Sequence, residues 1–171
     1  MRYTINRVKV GDEAALAYIQ TESWKAAFRD ILSPEALARN TDPVRAEAMY
    51  WRLMEQQIGN GYLLRVEGRP HCIAWWDSSR EPDMPDHAEL ICIHSLPDRW
   101  RQGFGLRMMK VVLADMAAAG YQWAMLWVFE DNHRARRFYE KCGFSATSRV
   151  KDGFGSTEVC YEKRLCEGEE V

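Results

Sequence analysis

The sequence predicts an α/β protein, a mixed central sheet of about seven strands with helices on both faces. Three observations predict it. Runs of strand type and runs with helical spacing follow one another in the order β-α-α-β-β-β-α-β-α-β-β. Two adjacent strand-type runs, 62–67 and 71–77, are joined only by Gly68-Arg69-Pro70, which makes them an antiparallel hairpin. The apolar run 88–96 passes through a glycine-bearing turn into a helical pattern closed at Gly120, and a second strand–helix unit follows at once.

Taken in order, residues 3–10 alternate as a first strand ended by Gly11. Asp12 is placed to cap a helix with Ala15, Leu16, Ile19 and Trp24 at helical spacing, and Phe28, Ile31 and Leu32 continue its apolar side. Ser33-Pro34 and Asp42-Pro43 each join a capping side chain to a proline suited to a first turn. The second of these opens a helix reaching about Gln57, which the Gly-Asn-Gly at 59–61 ends. After the hairpin, residues 78–87 hold Pro82, Pro85 and four charged residues and read as a loop. A fourth strand covers about 88–95, and the helix beyond its turn sets Leu106, Met109, Leu113 and Met116 on one face. Residues 121–129 are apolar enough for a strand buried on both faces. Asn132 caps a short helix that Gly143 ends, and strands at about 144–150 and 157–165 flank the turn-rich 151–156. The tail, 166–171, is expected to fray. With no internal repeat, a single domain is expected.

Composition narrows the function classes. A chain of 171 residues, 47% hydrophobic, is long enough to bury a core. Its 23 basic and 25 acidic residues give no general basic surface for nucleic acid. No apolar run approaches the roughly 20 residues of a membrane span, and the first residues lack the apolar segment of a secretory signal. Cys72, Cys92, Cys142, Cys160 and Cys166 are scattered and contain no C-x-x-C pair. Free thiols, a cytoplasmic location and no metal are the expectation.

The chemistry concentrates at PDRWRQGFGLRMMK, residues 97–110. A turn between strand and helix lays backbone N–H groups at a helix N-terminus, where the dipole favours anions. Gly103 and Gly105 let a ligand approach the main chain. Arg99, Arg101, Arg107 and Lys110 add positive charge, with no acid between Asp98 and Asp115. These features suit a phosphate group. A nucleotide P-loop is excluded by the missing Gly-Lys-Ser/Thr, and a dinucleotide fingerprint by Met108 in the place of its third glycine.

Two stretches carry a family resemblance. Residues 100–105, after a strand carrying Glu89, resemble the acetyl-CoA loop of the GNAT acetyltransferases, Arg/Gln-x-x-G-x-Gly/Ala, with Trp100 in the Arg/Gln place. Residues 132–144 resemble the family's N-x-x-A-x-x-F-Y-x-K-x-G-F, matching at Asn132, Ala135, Phe138, Tyr139, Lys141, Gly143 and Phe144. The element order is also that of the GNAT fold, from first strand to last.

The resemblance implies an N-acetyltransferase using acetyl-CoA as cosubstrate, with a small-molecule amine or a protein N-terminus as acceptor. It places the cofactor in a V-shaped opening between the fourth and fifth strands, against Ile93, His94 and Ser95. It sets the pyrophosphate on Trp100, Arg101, Gln102, Gly103, Phe104, Gly105 and Leu106, with Asn132 and Tyr139 nearby. It gives Glu89 the role of general base, the backbone N–H of Ile93 that of oxyanion donor, and Tyr139 that of proton donor to the thiolate. Trp24, Phe28 and Trp76 are expected to line the acceptor cleft. No metal, nucleic acid or membrane is implied, and a homodimer is compatible with the family. A non-catalytic acyl-CoA sensor or partner-binding module on the same fold is the alternative.

Each residue also has a plain structural reading. Glu89 can be an ion pair or a solvated strand-end charge, Asn132 a helix cap, Phe138 a packing residue, Gly143 a helix end and Tyr139 an ordinary half-buried tyrosine. On a regular strand His94 faces away from Glu89, a parity that a bulge would upset. His133, Arg134, Arg136 and Arg137 can be a solvated helix face or can meet the CoA 3′-phosphate.

Overall fold

A computed structural model describes residues 2–165. Its elements are β1 Tyr3–Arg7, α1 Glu13–Ala27, α2 Pro34–Asn40, α3 Pro43–Glu55, β2 Asn60–Val66, β3 Arg69–Ser78 and β4 His87–Ser95. A single 3-10 turn, Pro97–Arg99, precedes α4 Phe104–Ala118, β5 Trp123–Phe129, α5 His133–Lys141, β6 Ser145–Gly153 and β7 Ser156–Arg164. The strands form one open sheet in the order β1-β2-β3-β4-β5-β7-β6. Every neighbouring pair is antiparallel except β4 and β5. This is the mixed α/β architecture that the element order predicts. The expected fraying of 166–171 and the state of Cys166 lie outside the described residues.

The strand period of two sorts side chains to the two faces. Leu64, Ala74, Trp76 and Leu90 pack with Met108, Val112 and Phe144 on the face carrying α4. Leu63, Ile73 and Trp75 pack with Leu16, Ile19 and Tyr50 under α1 and α3. Burying each such large side chain is worth about 1.5–3 kcal/mol, so the two layers hold the sheet between them. In α4 the fully buried stripe is Phe104, Met108, Met109, Val112 and Met116. Leu106 and Leu113, expected there, are only half-buried, because the stripe begins at the helix's first residue and runs on at i+4.

Local capping chemistry mostly holds. Ser33 accepts from Ala36 N, Asp42 from Val44 N, and Asn132 from Ala135 N. Asp12 does not cap α1. Its carboxylate accepts from Arg65 Nη2 at 2.7 Å and from Lys9 N at 3.1 Å. The charge of a residue far along the chain outweighs the local cap. The loop expected over 151–156 shrinks to two residues, since pairing runs on to Gly153↔Ser156. Phe154 and Gly155 both have positive φ, 57° and 82°, as a two-residue hairpin turn requires. Among the described residues no helix is long and apolar enough to cross a membrane, and Cys72, Cys92, Cys142 and Cys160 are free.

Candidate active site

The sheet opens at its centre. β4 pairs with β5 only over 87–89 and 123–125, and beyond Glu89↔Met125 the two strands diverge. Residues 90–95 and 126–129 therefore face a V-shaped gap. On its other edge β4 is irregular: Trp75 pairs with Cys92 but Trp76 with Leu90, leaving Ile91 as an extra residue. The bulge resets the parity of the strand. Leu90 and Ile93 both pack toward α4, whereas Cys92 packs toward α1. His94 thus comes to the same face as Glu89, contrary to regular alternation. Trp24 of α1 donates from Nε1 to His94 Nε2 at 3.2 Å.

Glu89 is held in an ion pair. Its carboxylate is 2% exposed and accepts three hydrogen bonds from Arg80, from the main-chain N (3.0 Å), Nε (3.1 Å) and Nη2 (2.6 Å). Burial alone would raise its pKa, yet those bonds and the Arg80 charge hold it below the usual carboxylate range. A carboxylate so occupied has little capacity left to accept a proton, which favours the ion-pair reading of Glu89 over that of general base. The ion-pair reading of the sequence is the one the geometry matches. Arg80, nine positions earlier in a loop, carried no signal of its own.

At the mouth of the gap lies the glycine turn. Arg101 and Gly103 have φ of 64° and 83°, and Gly103 is the left-handed N-cap of α4. The first-turn amides of Phe104, Gly105 and Leu106 have no intrahelical acceptor, which leaves them pointing out of the helix end. A Cβ on Gly103 would meet nothing within 4 Å, so glycine is needed there for conformation. A Cβ on Gly105 would lie 3.5 Å from the Phe138 ring, so this glycine serves the close approach of α4 and α5. Trp100 Nε1 donates to Ser95 O at 2.9 Å, and the Arg134 guanidinium stacks over the Trp100 ring at 3.3 Å. Of the basic run on α5, Arg134 therefore reaches the loop from across the gap. Arg136 turns instead to Tyr161 Oη and Glu130 O.

Tyr139 is buried beside Phe138, Phe144 and Tyr161. Its hydroxyl makes no hydrogen bond among the described residues. Burial first, then the Cys92 and Cys142 thiols, push its pKa well up, against a lowering by Arg134. Asn132 spends its side-chain oxygen on the α5 cap.

On the α1 side an aromatic wall forms. Trp24 meets Phe28 (5.0 Å between ring centroids), Phe154 (5.3 Å) and His94 (6.3 Å), and Phe129 meets Phe28 and Phe154. The edge-to-face angles are those favoured by ring quadrupoles. Trp24 and Phe28 are thus brought together. Trp76 is not. It lies on the opposite face, donating to Asp115 Oδ2 at 2.9 Å and packing against Tyr121. Adjacent tryptophans on a strand must face opposite ways, but the sequence does not say which faces the cleft. Trp75, on the α1 face, is covered by Tyr50 and by the main chain at Gly59 and Gly61. Nothing in the sequence marks Phe129, and the one signal for Phe154 is its place as an aromatic residue in the turn-rich 151–156.

Among curated proteins, no sequence matches the chain. Solved structures share its fold. A PaiA N-acetyltransferase from Thermoplasma acidophilum, in complex with coenzyme A, superposes with a TM-score of 0.81 at 18% identity, over 96% of this chain and 99% of that one. The yncA protein of Salmonella typhimurium, solved with acetyl-CoA, gives 0.72 at 18% identity, over 98% and 96%. An N-acetyltransferase from Staphylococcus aureus gives 0.73 at 15%, over 97% and 100%. The family model described as the Acetyltransferase (GNAT) family matches residues 24–144, which include the gap, the glycine turn and α5. The chain belongs to the GNAT acetyltransferase family.

Proposed function

We propose that this protein moves an acetyl group from acetyl-CoA to a primary amine by direct attack in a ternary complex. The observation that carries the reading is the divergence of β4 from β5 beyond Glu89↔Met125. It joins an anion-suited turn at one end to an aromatic-walled surface at the other, where the two reactants would meet. The diphosphate would rest on the amides at the α4 N-terminus, with Arg134 and Arg101 adjacent. The pantetheine arm would run along the open edge of β4, and the Ile93 amide would stabilise the tetrahedral oxyanion. Holding both reactants at contact supplies much of the rate.

Tyr139 has a limited role in this scheme. A phenol with so raised a pKa stays protonated and is a weaker acid than a CoA thiol, whose ordinary value is about 8.5. It would stabilise the departing thiolate by donating a hydrogen bond, short of complete proton transfer. The test is thiol release from acetyl-CoA across a panel of amines. Amine-dependent CoA release supports the enzyme. Tight acetyl-CoA binding without any amine-dependent release supports a sensor on the same fold.

A further inference from the structure

Among the described residues, Glu89, His94 and Glu158 on the aromatic-walled face are able to receive a proton, and the first two are already engaged. Glu89 has both oxygens occupied by Arg80. His94 has its Nε2 lone pair occupied by the Trp24 indole, and burial lowers its pKa to about 4. The third is Glu158 of β7. It pairs across the sheet with Phe129, one of the aromatic wall, at the end of β5 beyond the divergence. It is only half-buried, and its carboxylate makes no hydrogen bond or ion pair among the described residues.

The surroundings explain why Glu158 stands unpaired. Lys151 lies directly opposite it on β6, but its ammonium sits 3.6 Å from Glu81 and over the Trp127 ring at 4.2 Å. Arg149 is paired with Asp83 and Glu81, and Arg80 with Glu89. Three cations thus serve Glu81, Asp83 and Glu89, and Glu158 is left as a fourth acid. Gly153 clears space for it: a Cβ there would collide with the Glu158 carboxylate.

We propose that Glu158 is the carboxylate that meets the acceptor's ammonium group and takes its proton, and that the acceptor is a cationic amine on a short apolar or aromatic stem. The inference rests on the amine-acetylation reading above. The stem would lie along Phe129, Phe154 and Trp24. An acceptor with a carboxylate beside its amine would be repelled by Glu158, and the neighbouring cations Lys151 and Arg80 are already paired with Glu81 and Glu89. In the step itself, the ammonium gives one proton to Glu158, and the nitrogen lone pair attacks the thioester carbon. A C–N bond forms, the C–S bond breaks, and the second nitrogen proton goes to the departing thiolate. The products are the amide and CoA thiol. The raised pKa of Glu158, caused by burial first and by neighbouring Glu89 and Asp152 later in order, against Lys151 and Arg80, suits a group that must hold a proton briefly.

The experiment compares phenethylamine with phenylalanine as acceptors in the wild type and in Glu158→Gln, with acetyl-CoA binding measured by calorimetry in both. The wild type should favour phenethylamine. Glu158→Gln should lower kcat/KM for phenethylamine by about 10²-fold, leave acetyl-CoA affinity unchanged and narrow the preference over phenylalanine. A merely structural role would not move that preference. Should Glu158→Gln fold poorly, Gly153→Ala displaces the same carboxylate at a glycine whose φ is not positive, and should show the same loss. An active wild type whose rate and preference are unaffected by either change overturns the inference and leaves amine acetylation standing. A wild type that binds acetyl-CoA and acetylates no amine overturns both.

Discussion

Arg80 and Glu89 form a closed pair: the arginine spends its main-chain amide, Nε and Nη2 on one buried carboxylate. The carboxylate is almost sealed while the arginine side chain is 62% exposed, so a surface cation neutralises a charge inside the sheet. That arrangement ties the loop before β4 to the base of the opening. Stability, more than proton transfer, is its expected product.

Arg80→Ala should therefore destabilise the protein by about 1–2 kcal/mol at neutral pH, since water can partly replace so exposed a partner. Glu89's folded pKa lies below its unfolded one, so this stabilisation is present above the unfolded value and lost as pH falls through the folded value. Urea unfolding of wild type and variant should show a gap that closes in acid. An equal gap at neutral and acid pH would remove the pair from the account. Glu89→Gln should likewise cost stability and keep kcat within about tenfold, against the roughly 10²–10⁴-fold a lost general base costs.

Gly103 holds the α4 N-cap at φ 83°. Gly103→Ala brings in a Cβ that meets no neighbour but strains the left-handed conformation by about 1 kcal/mol, which tilts the amides beyond it. Calorimetry should find acetyl-CoA binding weakened about fivefold to tenfold, with a small change in melting temperature. Unchanged affinity would move the diphosphate away from this turn.

The Tyr139 hydroxyl has no hydrogen-bond partner among the described residues, so Tyr139→Phe should leave thermal stability intact. If the hydroxyl steadies the thiolate, kcat should fall by about fivefold to thirtyfold, the scale of one hydrogen bond, with the KM for acetyl-CoA unchanged. Full kcat in Tyr139→Phe would make it a packing residue.

His94 is expected to be neutral throughout the working pH range, with its half-buried ring bonded to Trp24 and a pKa of about 4. Its ring-proton resonances should titrate near that value. Titration near 6.5, the ordinary value, would show that the Trp24 contact does not exclude water.

Features set by neighbouring residues were legible in the sequence, and features set by distant ones were not. Ser33, Asp42 and Asn132 cap helices because cap and amide lie within three residues. Asp12 looked the same and fails, because Arg65 on β2 arrives from 53 positions away. The glycine turn and α5 could be read because their spacing is local. The bulge at Ile91 could not, since the register of β4 is decided by its pairing with β3. It is this bulge that sets His94 beside the Glu89 face. Trp76 illustrates the same limit: alternation separates it from Trp75, and only the packing of α4 against one face assigns each. Phe129 and Phe154 meet because the β6–β7 turn folds back on α1, a contact between opposite ends of the chain.

The most direct test of the central claim is an initial-velocity study with acetyl-CoA and phenethylamine both varied, with the products identified by mass spectrometry. Direct attack in the opening between β4 and β5 predicts intersecting lines, an acetylated amine and no acetylated protein. Parallel lines with an acetyl group trapped on the protein would contradict it, as would CoA release that does not depend on the amine.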